Sequence, residues 1–201
     1  MMKSSLFGLI LRGTILGLAC FAIAACGGGD EEVQGAVAPL SIQLTSPTFT
    51  EGDAIPARYT CVENDVSPAL NWSGAPSGTQ SYAIIVEDPD FEPPFVHWVL
   101  YAIPPDVAEL PEGIPQTKVT TAGAKHGIND LDKVAYSGPC RAYRKERPHR
   151  YVITLYALDI GLDLEPGADK KELLRAMKGH ILANGQLVGK DRSDQDTIMR
   201  R

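Results

Sequence analysis

The sequence predicts a mainly β domain of the sandwich or barrel-like kind. Three observations lead there. Short runs of β-branched and aromatic residues recur along the chain, Pro and Gly punctuate nearly every gap between them, and a single helical pattern stands out near the end.

The candidate strands come in order. Ile42 to Leu44 is the first, and Ala69 to Trp72, following Pro68, is the second. Tyr82 to Glu87 is the third, with Ile84, Ile85 and Val86 as a continuous apolar run. Val96 to Ile103 is the fourth, stopped by Pro104-Pro105, and Tyr151 to Leu158 is the fifth. Continuous apolar runs predict strands covered on both faces. Between them lie Ala75-Pro76-Ser77-Gly78, Asp88-Pro89-Asp90, Pro93-Pro94 and Gly138-Pro139, all turn formers. The helix is expected to start at Asp169, with Glu172 completing a capping box. Leu173, Leu174, Met177 and Ile181 then share one face, and Gly185 after Asn184 supplies a stop. That apolar stripe reads as core packing.

The N-terminal residues address the chain to a compartment. Lys3 gives a charged start, and Leu6 to Ala25 is apolar or small apart from Arg12 and Thr14. The exit, Ile23-Ala24-Ala25-Cys26, looks like a bacterial lipobox: residues 1–25 form the signal, and the Cys26 thiol carries the lipid. The alternatives are an ordinary signal peptide and an uncleaved membrane helix, which Arg12 and the small-residue exit disfavour. Residues 26–39 are small and acidic, cannot bury a core, and form a flexible tether. The folded domain is expected over residues 40–192, with a frayed tail over 193–201. The expected location is the cell envelope, anchored by lipid on the periplasmic side. Gly27 after Cys26 leans toward the outer membrane by resemblance to sorting rules.

Net charge is −6, and −8 once residues 1–25, with Lys3 and Arg12 and no acid, are removed. Such a domain is a poor general partner for nucleic acid, so any anion must be held by a local site. Of the four cysteines, Cys20 lies in the signal and Cys26 is the anchor. Cys61 and Cys140 remain. They form either a disulfide or two buried thiols, and an oxidising compartment favours the bridge.

Chemistry concentrates at strand ends. Asp88-Pro89-Asp90 follows the third strand, His97-Trp98 opens the fourth, and His149-Arg150-Tyr151 opens the fifth, with Gly138-Pro139-Cys140 a loop earlier. Two carboxylates around a proline cannot both enter a core without cost. Taken singly, each residue has a plain reading: structural histidines, turn-forming aspartates and a strand tyrosine. Their order and spacing together resemble the two signature regions of the phosphatidylethanolamine-binding family, which includes Raf kinase inhibitor protein and plant flowering regulators. Ser67-Pro68-Ala69-Leu70-Asn71-Trp72, Pro76-Ser77-Gly78-Thr79-Gln80-Ser81 and Leu155-Tyr156-Ala157-Leu158-Asp159 extend the resemblance to the bacterial branch, from about Ile42 to Gly189.

The resemblance implies a two-sheet antiparallel β-sandwich with a C-terminal helix and a small pocket for phosphate-like anions or phospholipid headgroups. Carried over, the pocket uses Asp88, His97, His149 and Tyr151, with Asp90 and the Gly138-Pro139 turn shaping its rim. The residue types agree with this. Imidazoles and a phenol donate to anionic oxygens. A carboxylate such as Asp88 serves by holding a histidine in one tautomer and favouring its cation. Backbone N–H groups near Gly138 could complete an anion nest. His126, in a glycine-rich loop, and His180, on the helix beside Gly179, lack this context. The chain departs from the bacterial pattern after Cys140: the usual prolines are missing, and Arg141, Arg144, Lys145 and Arg147 make a longer basic loop, which is either a solvated face or a wider rim.

Three rival readings stand beside a non-catalytic binding protein that needs no cofactor. Two histidines and an aspartate could ligate zinc or iron, but the spacing is not a tight metal signature. The same cluster could work as a general acid and base on a phosphoester or ester, but no Gly-x-Ser-x-Gly elbow occurs, and Ser137 has no assigned base. The third is an interaction module: family members elsewhere inhibit kinases or proteases, and here an envelope protein is the sensible partner.

Overall fold

Residues 41–140 and 148–191 are described by the computed structural model of the chain. The expected signal, Cys26 and its tether, the basic loop Arg141 to Arg147 and the tail over 193–201 lie outside the described residues. In chain order the elements are β1 (Gln43–Thr45), β2 (Leu70–Ser73), β3 (Ser81–Asp88), β4 (Phe95–Ile103), β5 (Glu109–Leu110), β6 (Lys125–His126), β7 (Arg150–Leu158), α1 (Lys170–Met177) and β8 (Ile181–Lys190). A 3-10 turn covers Ala57–Tyr59.

The strands form two antiparallel sheets. The smaller runs β1-β2-β5 and the larger β6-β4-β3-β7-β8. The core between them joins Leu44, Leu70, Trp72 and Leu110 of the small sheet to Ile84, Val86, Trp98, Leu100, Ile153 and Leu155 of the large one. A second core lies on the other face of the large sheet, where Leu173 and Met177 of α1 pack with Ala83, Ile85, Val99 and Tyr101. β3 therefore alternates between two apolar environments, which is why its sequence is apolar at nearly every position. A Lys170–Glu87 ion pair joins α1 to β3.

The helix starts as expected. Asp169 accepts from the Glu172 N–H at 2.7 Å, and Glu172 accepts from the Asp169 N–H at 3.0 Å. It ends earlier than expected. Met177 is its last residue, and Gly179 turns the chain at φ +83°, a conformation most side chains avoid. Ile181 therefore begins a strand, and Asn184-Gly185 lies inside β8 instead of ending the helix. His180 sits in the turn between α1 and β8 and pairs with Asp159 at 2.8 Å. Gly185 is needed for close approach: a Cβ there would lie 2.4 Å from the Ile42 carbonyl oxygen.

Candidate functional site

Three neighbouring strands bring the signature residues to one end of the large sheet. β3 ends at Asp88, opposite Phe95 at the start of β4, and Glu87 lies opposite Val152 near the start of β7. Asp88, distant from His149 along the chain, reaches it here: His149 Nδ1 donates to the Asp88 carboxylate, 3.0 Å from each oxygen. Asp88 is fully buried, and the His149 side chain keeps 14% of its surface exposed. A buried carboxylate is costly unless bonded. Asp88 also accepts the Asp90 N–H at 3.0 Å, so the turn after β3 helps satisfy it.

His97 owes its direction to a bulge. Val86 faces Trp98 and Glu87 faces Val96, so the register skips His97 and leaves it as the extra residue of β4. Its ring meets the Tyr151 ring nearly edge to face, 5.1 Å between centroids, while the next residue, Trp98, packs in the core between the sheets together with Tyr151. Both His97 and Tyr151 are buried. His97 Nδ1 lies 2.9 Å from the Ser137 carbonyl oxygen. A carbonyl only accepts, so Nδ1 carries a proton. In a neutral ring Nε2 then holds the lone pair, and it becomes a donor when the ring gains its second proton. The same logic applies to His149, whose Nδ1–H is committed to Asp88.

Several residues outside the signature stretches fix these two rings. Asn129 Nδ2 donates to the His97 and Ala135 carbonyls and to Ser137 Oγ, at 3.1 to 3.2 Å. The Ser137 N–H returns a bond to the His97 carbonyl at 3.1 Å. Asp191 accepts the His149 N–H at 2.7 Å, and its own N–H donates to the His149 carbonyl. Arg150 grips Asp90: the guanidinium reaches both carboxylate oxygens, and the backbone N–H donates at 2.9 Å. These bonds from Arg150 hold the Asp90 carboxyl well below the usual carboxylate range. Nothing in the local sequence around Asn129 or Asp191 distinguishes them from ordinary turn residues; their role appears only once the strands are paired.

The Gly138-Pro139 turn is fastened from beneath. Cys61 and Cys140 form a disulfide. The Cys61 N–H donates to the Pro139 carbonyl at 3.0 Å, and the Tyr136 hydroxyl donates to the Tyr59 carbonyl at 2.7 Å. The Gly138 N–H donates to Asp65 Oδ1 at 2.6 Å, so in this arrangement that amide is directed at a carboxylate. A Cβ on Gly138 would lie 2.0 Å from the Tyr59 carbonyl oxygen, which makes glycine a steric requirement there.

The remaining histidines sit elsewhere. His126 is not in a loop: it forms β6, pairs with Leu100 and is fully buried. The Trp98 indole N–H donates to its Nδ1 at 3.4 Å. Burial pushes its pKa down to about 4, because the charged form would lose its water. Among the described residues no group of three or more His, Cys, Asp or Glu is arranged to hold a metal ion.

Known proteins resemble this chain in sequence and in fold. The sequence profile described as phosphatidylethanolamine-binding protein matches residues 45–192. The chain belongs to the phosphatidylethanolamine-binding protein family. Within it, the UPF0098 protein of Methanothermobacter thermautotrophicus is 42% identical over 149 residues, covering 74% of this chain and 97% of its own. The UPF0098 protein PH1269 of Pyrococcus horikoshii is 39% identical over 94% of this chain and 89% of its own. Among solved structures, the putative phosphatidylethanolamine-binding protein homologue CT736 of Chlamydia trachomatis superposes with a TM-score of 0.69 at 37% identity, over 77% of this chain and 99% of its own. YbcL of E. coli, described as a new member of the mammalian family, superposes with a TM-score of 0.69 at 26% identity, over 76% and 98%. The chain thus has the fold of the phosphatidylethanolamine-binding proteins, mainly β, with two antiparallel sheets and one helix among the described residues, as the sequence led one to expect.

Proposed function

We propose that this family member is a non-catalytic binding protein in whose pocket His97, His149 and Tyr151 receive a phosphate-like anion or a phospholipid headgroup, with Asp88 behind them as the support of His149. Asp90 and the Gly138-Pro139 turn shape the rim. The observation that carries this reading is the convergence of two histidines, each with Nδ1 committed to an acceptor, at one end of a sheet. Fixed tautomers leave Nε2 of each ring as the atom that donates once the ring is protonated, and a charge-assisted N–H bond to an anionic oxygen is about twice as strong as a neutral one. Asp88 does not face the anion as a ligand; it orients His149. The Asp90–Arg150 grip holds the start of β7 and so the spacing of His149 and Tyr151.

The chain is placed by this reading in the cell envelope, tethered through a lipid on Cys26, with the outer membrane favoured. An envelope protein is the partner whose activity it would regulate. Support for the location rests on the Ile23-Ala24-Ala25-Cys26 sequence and on the Cys61–Cys140 bridge, which suits an oxidising compartment.

Calorimetric titration with inorganic phosphate and with phosphoethanolamine tests the site. Both are expected to bind the wild-type protein at pH 6, and His149→Ala should weaken binding at least about tenfold, one charge-assisted hydrogen bond being worth roughly 1.5 kcal/mol or more. Absence of binding to the wild type, or unaltered affinity in His149→Ala, refutes the reading. Phosphoester and ester substrates assayed in parallel should give no turnover that is lost in His149→Ala.

A further inference from the structure

Four rings make a continuous chain of contacts at the proposed site. Phe91 meets Phe95 nearly edge to face at 5.5 Å between centroids, Phe95 meets His97 at 5.0 Å, and His97 meets Tyr151 at 5.1 Å. Burial rises along the chain. Phe91 is 39% exposed, Phe95 is half-buried, and His97 and Tyr151 are at 4% and 1%. The two phenyl groups therefore flank the two innermost rings on their more exposed side.

A single exposed phenylalanine needs no explanation. Phe91 differs in what it adjoins. It directly follows Asp90, whose carboxylate is held by Arg150, and its neighbour Phe95 touches one of the two histidines. Phenyl rings offer no donor to a phosphate oxygen, but they offer area to a flat apolar group, and aromatic pairs gain from edge-to-face or offset contact. The global charge points the same way. An acidic protein supplies no long-range attraction to an anion, so a bare anion depends wholly on a few local donors. An apolar body attached to the anion adds binding that costs no charge.

We infer that the site selects anions carried on an apolar body, aromatic in preference, with the anionic group at His97, His149 and Tyr151 and the body against Phe91 and Phe95. The inference rests on the anion-site reading above and names the ligand class: aryl phosphates and related amphiphilic anions ahead of free phosphate or polar phosphate esters.

The purified protein is titrated at pH 6 with inorganic phosphate, glycerol phosphate, cyclohexyl phosphate and phenyl phosphate. Phenyl phosphate is expected to bind about tenfold tighter than phosphate or glycerol phosphate, the order that one aromatic contact with its buried area supplies, with cyclohexyl phosphate between them. Phe91→Ala should cut the advantage to less than about threefold, and Phe91→Leu should keep the cyclohexyl advantage while losing the extra gain for phenyl. Urea midpoints of both variants establish that the fold is retained. Equal affinity for phosphate and phenyl phosphate overturns the inference and leaves the anion site standing, as does an undiminished advantage in both Phe91 variants. Binding of none of the four overturns the anion site and the inference together.

Discussion

His126 makes the stability of this domain depend on pH, and the size of the effect can be worked from its surroundings. The ring is fully buried beside Trp98, with no exposed surface. Trp98 donates to Nδ1, so the native ring keeps its lone pair there and its proton on Nε2. A second proton on Nδ1 would face the indole N–H, and the cation would sit without water. Both effects oppose charging, and burial lowers the pKa from 6.5 to about 4. The sign follows. Below pH 6.5 the unfolded chain gains a proton at this residue while the native chain does not, so unfolding is favoured as pH falls. The loss is close to zero at pH 7.5, about 2 kcal/mol at pH 5 and about 3 kcal/mol at pH 4, where it levels off. The comparison is with His126→Gln, which keeps an acceptor for Trp98 but does not titrate. Every other titrating group is common to the two proteins and cancels. Urea unfolding at pH 7.5 and pH 5 should show the wild type losing about 2 kcal/mol relative to the variant between those values. If the difference between the two proteins stays constant within about 0.5 kcal/mol, the buried neutral imidazole is not what holds this site, and the argument fails.

Further expectations concern the support of the site. Gly138→Ala drives a methyl group against the Tyr59 carbonyl and should cost about 3 kcal/mol, the upper end for overpacking, read as a lower urea midpoint; a midpoint unchanged from wild type refutes the close approach. The Cys61–Cys140 bridge spans 79 residues, and its loss in a Cys61→Ser, Cys140→Ser double variant should cost about 4 kcal/mol by loop entropy. Reductant should destabilise the wild type by a similar amount and leave the double variant unmoved. Asp169→Ala removes the capping box of a helix only two turns long and should cost about 1 kcal/mol, with Asp169→Asn or Asp169→Ser recovering most of it.

What could be read from the chain, and what could not, divides along the range of the forces involved. β3, β4 and β7 were legible because burial on both faces imposes long apolar runs of β-branched and aromatic residues, and because prolines mark their ends. The capping box was legible because it is local: Asp169 and Glu172 satisfy each other within four residues. β5 and β6 were not legible. Each is two residues long and exists because a neighbouring strand offers a hydrogen-bonding edge, which no local pattern encodes. The end of α1 was misread for a related reason. Ile181 falls on the helical face of Leu173 and Met177, yet Gly179 takes a positive φ and Ile181 begins a strand. In β8, Ala183, Gly185, Leu187 and Gly189 point to one buried face at period two, and two of the four are glycines because the chain near Ile42 and Ile55 passes too close for a Cβ. Glycines placed by such packing look, in sequence, like helix stops.

The site itself shows how far a motif can carry an argument and where geometry must take over. Alternation along a strand sends adjacent side chains to opposite faces. In an unbroken β4, with Trp98 directed into the core between the sheets, His97 would point to the face beneath α1, away from Tyr151. The bulge adds one residue at that position, so both His97 and Trp98 reach the side where Tyr151 lies. The apolar sequence Phe95 to Ile103 carries no sign of this irregularity. Pairing partners set it, since Glu87 and Val86 of β3 are fixed against β7 on their other side and cannot shift to accept His97. A motif can list the residues that an anion would meet, but the direction of one of its two histidines is decided by strands on either side of it. A variant that closes the bulge by deleting Val96, so that His97 takes the place opposite Glu87, should therefore lose anion binding even though every signature side chain is still present.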